Sequence, residues 1–179
     1  MLITGASGFV GSHAVPVLGK KYQVDTISLK GKKTDHIELN HYNVILHLAG
    51  IAHQAVDISE EEYNSVNHKL AVQLAESAKK AGVSHFIFMS TVKVYGEIDE
   101  LPFREDSICD PKDAYASSKL NAEKDLLAMN SPSFIVSVIR PALIYGKGVK
   151  GNLAKLISLI RKLPVVFFPL IHNKRSLYT

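Results

Sequence analysis

Met1-Leu2-Ile3-Thr4-Gly5-Ala6-Ser7-Gly8-Phe9-Val10-Gly11 decides the fold of this chain. A short apolar run ends at Gly5, a G-x-x-G-x-x-G turn follows, and a helical pattern over Phe9–Leu18 begins inside it. Glycines permit the tight turn and let the backbone come close to a pyrophosphate. The start of the helix adds N–H groups without intrahelical acceptors and the positive end of its dipole. Three glycines elsewhere would serve an ordinary turn; at a strand–helix junction they imply dinucleotide binding. Gly5, Ser7, Gly8, Phe9, Val10 and Gly11 are therefore the candidate phosphate-binding residues. Ser7 is not a nucleophile elbow, because the second glycine of G-x-S-x-G is missing.

Outward from that junction, short apolar runs alternate with longer amphipathic ones. Strands are predicted over Met1–Thr4, Tyr22–Leu29, Asn43–Ala49, His85–Ser90 and Phe134–Ile139, with a further short one over Val165–Phe168. Helices are predicted over Phe9–Leu18, Ser59–Ala81, Ala114–Met129 and Leu153–Lys162. Continuous apolar strands between helices imply a parallel sheet covered on both faces. The fold class is α/β, a doubly wound parallel sheet, in a single domain over residues 1–179. Pro16 should kink or shorten the first helix, since it removes a backbone hydrogen bond. Residues 30–42 are too few for both a helix and a strand, so one crossover is trimmed.

The 179 residues are 46% apolar and 21% charged, which excludes a disordered or low-complexity chain. A lone cysteine, Cys109, excludes an intrachain disulfide and a cysteine-built metal site, and fits a reducing, cytoplasmic setting. No secretory signal is read at the start. The apolar stretch from Leu153 to Ile171 is broken by Lys155, Arg161, Lys162, Pro164 and Pro169 and does not span a membrane. All 17 acids lie between Asp25 and Asp125; beyond them stand bases from Arg140 to Arg175 and no acid. Such a block suits a polyanionic ligand. Stacking aromatics and nucleic-acid motifs are missing, so a phosphorylated small molecule fits better than nucleic acid. No histidine pair has a third donor at ligand spacing, so no metal is expected; His47 and His85 read as satisfied core histidines.

The second strand of a dinucleotide fold normally ends in an acid that holds the adenosine ribose. Here Ser28 stands at that place, followed by Lys30, Lys32 and Lys33. Lysines without a carboxylate would accept a 2′-phosphate, favouring NADP over NAD; a solvated lysine loop is the alternative. Further on, Tyr115-Ala116-Ser117-Ser118-Lys119 puts a phenol and an ammonium on one helix face. A cation beside a tyrosine stabilises the phenolate and lowers its pKa from about 10, so Tyr115 could exchange a proton with a substrate hydroxyl or carbonyl.

That pair occurs by chance on many helices, but here further segments accompany it. His47-Leu48-Ala49-Gly50, Val66-Asn67-His68, Met89-Ser90-Thr91-Val92-Lys93-Val94-Tyr95-Gly96 and Arg140-Pro141-Ala142-Leu143-Ile144-Tyr145-Gly146 follow in order. With the glycine turn, the set resembles the extended short-chain dehydrogenase/reductase family, the NAD(P)-dependent epimerases and dehydratases of nucleotide sugars. Its wording is most similar to bacterial UDP-4-keto-6-deoxy-HexNAc reductases and UDP-sugar 4-epimerases of surface-polysaccharide assembly.

The resemblance implies a Rossmann-type sheet, with Tyr115 as acid/base, Lys119 as its partner and ribose ligand, and Thr91 bonded to the reacting sugar oxygen. It extends the cofactor contacts to Ser28, Lys30, Leu48, Ala49, Gly50, Asn67, Pro141 and Ile144. The substrate contacts it implies are Thr91, Val92, Asn152, Leu153 and Arg175, the last three toward the nucleotide diphosphate. Val92 and Lys93 stand where the family's dehydratases carry Asp-Glu, which disfavours dehydration. A homodimer is implied through the helices carrying Asn67 and Tyr115, and apolar residues left outward on them would favour it. Family members continue beyond the segment matching Arg175, so residues 147–179 would begin a substrate lobe that is largely missing. Two readings follow: an enzyme acting at carbon four of a UDP-sugar, or a non-catalytic dinucleotide-binding module.

Overall fold

The computed structural model describes residues 1–31, 34–52, 58–96, 102–149, 152–162 and 177–178, in two compact units, Met1–Arg140 and Pro141–Thr179. In the first unit, β1 (Leu2–Thr4), β2 (Asp25–Ile27), β3 (Val44–His47), β4 (His85–Met89) and β5 (Ile135–Ile139) form one sheet in the order β2-β1-β3-β4-β5. Every pairing is parallel, with Ile3 opposite Thr26 and Leu46, and Phe86 opposite Ile45 and Val136. The strand order reverses between β1 and β3, and in such sheets ligands bind outside the carboxyl ends of the strands at that point.

α1 (Phe9–Leu18) carries the chain from β1 to β2. α2 (Glu60–Tyr63), a π-wound turn over Asn64–Lys69 and α3 (Leu70–Lys80) carry it from β3 the opposite way to β4. Right-handed crossovers in opposite directions put their helices on opposite sheet faces. On one face, Leu2, Ile45, Phe86, Phe88 and Val136 pack against Ala71, Leu74, Ala75 and Ala78 of α3 and against Ala122 and Leu126 of α4 (Ala114–Ala128). The α3 positions follow helical spacing. Burying Phe86 and Phe88, both 0% exposed, contributes about 2–3 kcal/mol each.

The sheet and its helices bear out the expected fold class. Differences are local. The second strand is three residues, not the run Tyr22–Leu29, because only Asp25–Ile27 pair with β1. The helix expected over Ser59–Ala81 is wound in three parts, with Ser59 capping it by accepting from the Glu62 amide at 3.1 Å. α1 runs on past Pro16 only to Leu18, where Gly19 caps it. The crossover between β2 and β3 is trimmed to a single 3₁₀ turn, Thr34–His36, among the described residues. Outward positions on α3 and α4 include Gln73, Glu76, Lys80, Asn121, Lys124 and Asp125. Leu127, 41% exposed, is an apolar residue left outward on α4.

In the second unit β6 (Leu143–Ile144) pairs in parallel with β7 (Leu177–Tyr178), and α5 (Asn152–Lys162) ends on Arg161 and Lys162. The strand expected over Val165–Phe168 lies outside the described residues. No helix among the described residues is long and apolar enough to cross a membrane.

Candidate active site

The glycine turn is built by close approach. Gly5 has φ +72°, and a Cβ there would lie 2.5 Å from the Ala49 amide nitrogen, so the ends of β1 and β3 touch through it. Gly11 is buried, and a Cβ on it would lie 2.7 Å from the Ala6 Cα. The Gly8 amide donates to the Gly5 carbonyl at 3.0 Å, and Gly8 caps α1 without any side-chain hydrogen bond. No acid stands in the first turn of α1. The N–H groups of Phe9, Val10 and Gly11 therefore face a glycine cradle with no carboxylate competing for them, which fits a pyrophosphate.

Beside this turn, Asn67 locks the segment after β3. Its Oδ1 accepts from the Ile51 amide at 2.8 Å, and its Nδ2 donates to the Ile51 carbonyl at 2.9 Å and to the Ser118 hydroxyl at 3.2 Å. Asn67 is 0% exposed at the centre of the π-wound turn, a winding that recurs at functional sites. Ser118 donates in turn to the Tyr115 carbonyl at 2.7 Å, so the loop after β3 is tied to α4.

α4 starts where Asp113 caps it, accepting from the Ala116 amide at 2.7 Å, while its other oxygen pairs with Lys93 at 2.6 Å. That start sets Tyr115 in the first turn and Lys119 one turn on. The Thr91 and Tyr115 hydroxyls are hydrogen-bonded, and Tyr63 meets the Tyr115 ring edge-on at 6.0 Å. Lys119 is 5% exposed; its Nζ donates to the Met89 carbonyl at 2.9 Å and lies 4.6 Å from the centre of the Phe88 ring. The same Nζ would be 3.2 Å from a Cβ on Gly50. The ends of β1, β3 and β4 and the start of α4 thus bring Gly5, Gly50, Thr91, Tyr115 and Lys119 into one neighbourhood.

The electrostatics differ from the expected lowering of the Tyr115 pKa. Burial pushes the phenol up, and Asp113 and Tyr63 add to it, against the opposing bond from Thr91. The Lys119 ammonium is held by the Met89 carbonyl and the Phe88 ring face; burial lowers it to about 8, with Glu123 holding it up. His47, 0% exposed, is pushed down to about 3 by burial and by Lys119, so it is neutral. It is only half satisfied: Nδ1 bonds the Thr4 hydroxyl at 2.9 Å, while Nε2 has no partner among the described residues. His85 bonds Ser137 at 2.9 Å.

Other expected site residues are more scattered. Ser28 and Lys30 are exposed after β2, where the Lys30 amide donates to the Ser28 hydroxyl at 3.4 Å; Lys32 and Lys33 lie outside the described residues. Leu48 and Ala49 are half-buried behind Gly5, and Val92 half-buried in the 3₁₀ turn Val92–Tyr95. Pro141, Ile144, Asn152 and Leu153 belong to the second unit, and Arg175 lies outside the described residues. Sequence reasoning passed over Asp113, Tyr63 and Glu123. The last had a signal: an acid four residues beyond Lys119 on the buried face of the same helix.

Fold and site together define a dinucleotide-binding domain of the Rossmann type with a Thr-Tyr-Lys cluster at its ligand edge. The chain belongs to the NAD dependent epimerase/dehydratase family, whose model matches residues 1–166. It is 36% identical to a UDP-glucose 4-epimerase of Vibrio cholerae over 99% of its own length and 62% of that relative's. Among solved structures it is similar to MoeE5 in complex with UDP-glucose and NAD, with TM-score 0.77 and 27% identity, covering 92% of this chain and 62% of that one. It is also similar to RMD from Pseudomonas aeruginosa complexed with NADPH, with TM-score 0.76 and 26% identity, covering 90% and 61%. The chain therefore spans less than two thirds of the length of these relatives.

Proposed function

We propose that the chain supplies the cofactor-binding and proton-transferring part of an enzyme acting at carbon four of a UDP-linked (amino)sugar, in surface-polysaccharide biosynthesis. The observation that carries this reading is the hydrogen-bonded Thr91–Tyr115 pair, one helical turn from buried Lys119 and beside the glycine turn. NAD or NADP, when bound, would supply or accept a hydride. The amides of Phe9, Val10 and Gly11 would hold its pyrophosphate, Tyr115 and Lys119 its ribose, and Ser28 and Lys30 its adenosine end, where the lysine favours NADP. Tyr115 exchanges a proton with the sugar oxygen at carbon four, and Thr91 orients that oxygen. Lys119 steadies the phenolate once a ligand draws the ammonium toward it.

Incubation with a UDP-4-keto sugar and NADPH tests the reading. A reductase consumes reduced cofactor stoichiometrically, whereas a 4-epimerase interconverts UDP-sugars with no net change in it. Thermal stabilisation by NAD or NADPH without turnover favours the second reading, a binding module, which the raised Tyr115 pKa supports. Absence of both stabilisation and turnover rejects both readings. A homodimer through the segments carrying Asn67 and Tyr115 belongs to this reading, and sedimentation of the protein decides it.

A further inference from the structure

One helical turn beyond Lys119, on the same face of α4, lies a buried acid that the proposed chemistry does not use. Glu123 is 1% exposed. Arg140 Nε donates to both of its carboxylate oxygens, at 3.1 and 3.0 Å, Arg140 Nη2 donates to Oε2, and the Ser90 hydroxyl donates to Oε1. Arg140 Nη1 reaches the Tyr95 hydroxyl at 2.7 Å and the Glu105 carbonyl at 3.1 Å, and the guanidinium stands 4.9 Å over the Tyr95 ring. Thr91 therefore sits in a segment tied at both ends to one ion pair: Ser90 before it is bonded to Glu123, and Tyr95 after it to Arg140. Lys119 is one helical turn from the same carboxylate and bonded to Met89, next to Ser90. Burying a carboxylate and a guanidinium costs desolvation that the pair alone seldom returns as stability. A pair in this position is better explained by what it arranges.

We propose that Glu123 is a positioning residue of this site: fixed by Arg140 and Ser90, its carboxylate anchors the strand end that carries Thr91 and is the standing counter-charge of the Lys119 ammonium. This rests on the reading of Lys119 as a cofactor ligand. Among the described residues, the titratable groups facing Lys119 include Glu123 and Tyr115 on its own helix and His47 from β3. His47 titrates near 3, far below the range of interest. Among the described residues, Glu123 is thus an anion that holds the ammonium charged in a place where burial favours the neutral amine.

The test is the titration of the Lys119 Nζ, followed by NMR on the full chain labelled in lysine and assigned by its loss in Lys119→Met. In the unaltered chain the midpoint lies near 8. Glu123→Gln keeps the shape and removes the charge, and should lower the midpoint by about one pH unit. The protonated fraction at pH 8 then falls from about one half to about one tenth, and NADPH affinity at that pH falls about fivefold. Glu123→Asp keeps the charge and should restore the midpoint, which a merely structural role would not require. If Glu123→Gln does not fold, Glu123→Gln with Arg140→Met removes both members of the ion pair and takes its place, with a fall in the same direction but smaller, because a neighbouring cation leaves with the anion. A folded variant of either kind with an unmoved Lys119 midpoint overturns the proposal. Failure of the unaltered chain to bind NADPH or NAD would reject the functional reading instead, and the lysine titration would still answer for Glu123.

Discussion

Tyr115 is held in its acid form by its surroundings until something changes them. Burial raises its pKa, and Asp113 opposes the phenolate. A ligand carbonyl or hydroxyl bonded to both Thr91 and Tyr115 is the change the geometry allows, since the Thr91 bond already favours the ionised phenol. Tyr115→Phe removes the proton path and keeps the ring that packs on Tyr63. Turnover of a UDP-sugar should fall about a hundred- to ten-thousand-fold while cofactor affinity stays close to normal. A variant that keeps more than about a tenth of the rate shows Tyr115 to be a packed helix residue and nothing more. Lys119 behaves differently. Its ammonium titrates near 8, so cofactor binding that depends on the charge should weaken as pH rises through that value. Calorimetry of NADPH binding across that range checks this, and a flat affinity would remove Lys119 from the cofactor site.

At the scale of elements, the junction of β1 and α1 concentrates constraint in backbone rather than side chains. Gly11→Ala places a methyl group against the Ala6 backbone, 2.7 Å from its Cα, where no flexible side chain can yield. Overpacking of this kind costs about 1–3 kcal/mol, and the turn must open to relieve it. Denaturation midpoint and cofactor affinity should fall together; a variant that loses stability but binds NADPH normally would place the pyrophosphate elsewhere. This junction was legible in the sequence because glycine spacing and a strand–helix boundary are local signals. So was the trimmed crossover, because a chain length bounds what can be built from it. The π-wound turn at Asn67 was not legible: an i→i+5 winding has no residue preference of its own, and here the Asn67 bonds to Ile51 accompany it. The neighbourhood of Thr91 and Tyr115 also escapes spacing arguments. Helical period puts Tyr115 and Lys119 on one face, but only the pairing of β4 with β3 and β5 brings Thr91 to them.

For the molecule as a whole, the site imposes a pH dependence on stability that begins at His47. The buried ring is pushed from an ordinary 6.5 to about 3, so the folded state holds it neutral while the unfolded chain takes up a proton. A pKa lowered by folding means stability that is fully present above about 6.5 and is lost as pH falls toward 3. Between pH 8 and pH 5 this one group should remove about 2 kcal/mol, a large fraction of the stability of a domain this size. Lys119 acts in the same sense at the other end: its folded value near 8 lies below the ordinary 10.5, so stability rises as pH increases through that window. The two are coupled, because the Lys119 charge is one of the causes that depress His47. His47→Asn retains a polar atom toward the Thr4 hydroxyl and does not titrate. Urea unfolding of both proteins at pH 8 and pH 5 should show the unaltered chain losing about 2 kcal/mol more than the variant. Equal losses would mean that the ring is charged or solvated in the folded state, and that the sheet edge beneath the proposed cofactor site is open to water.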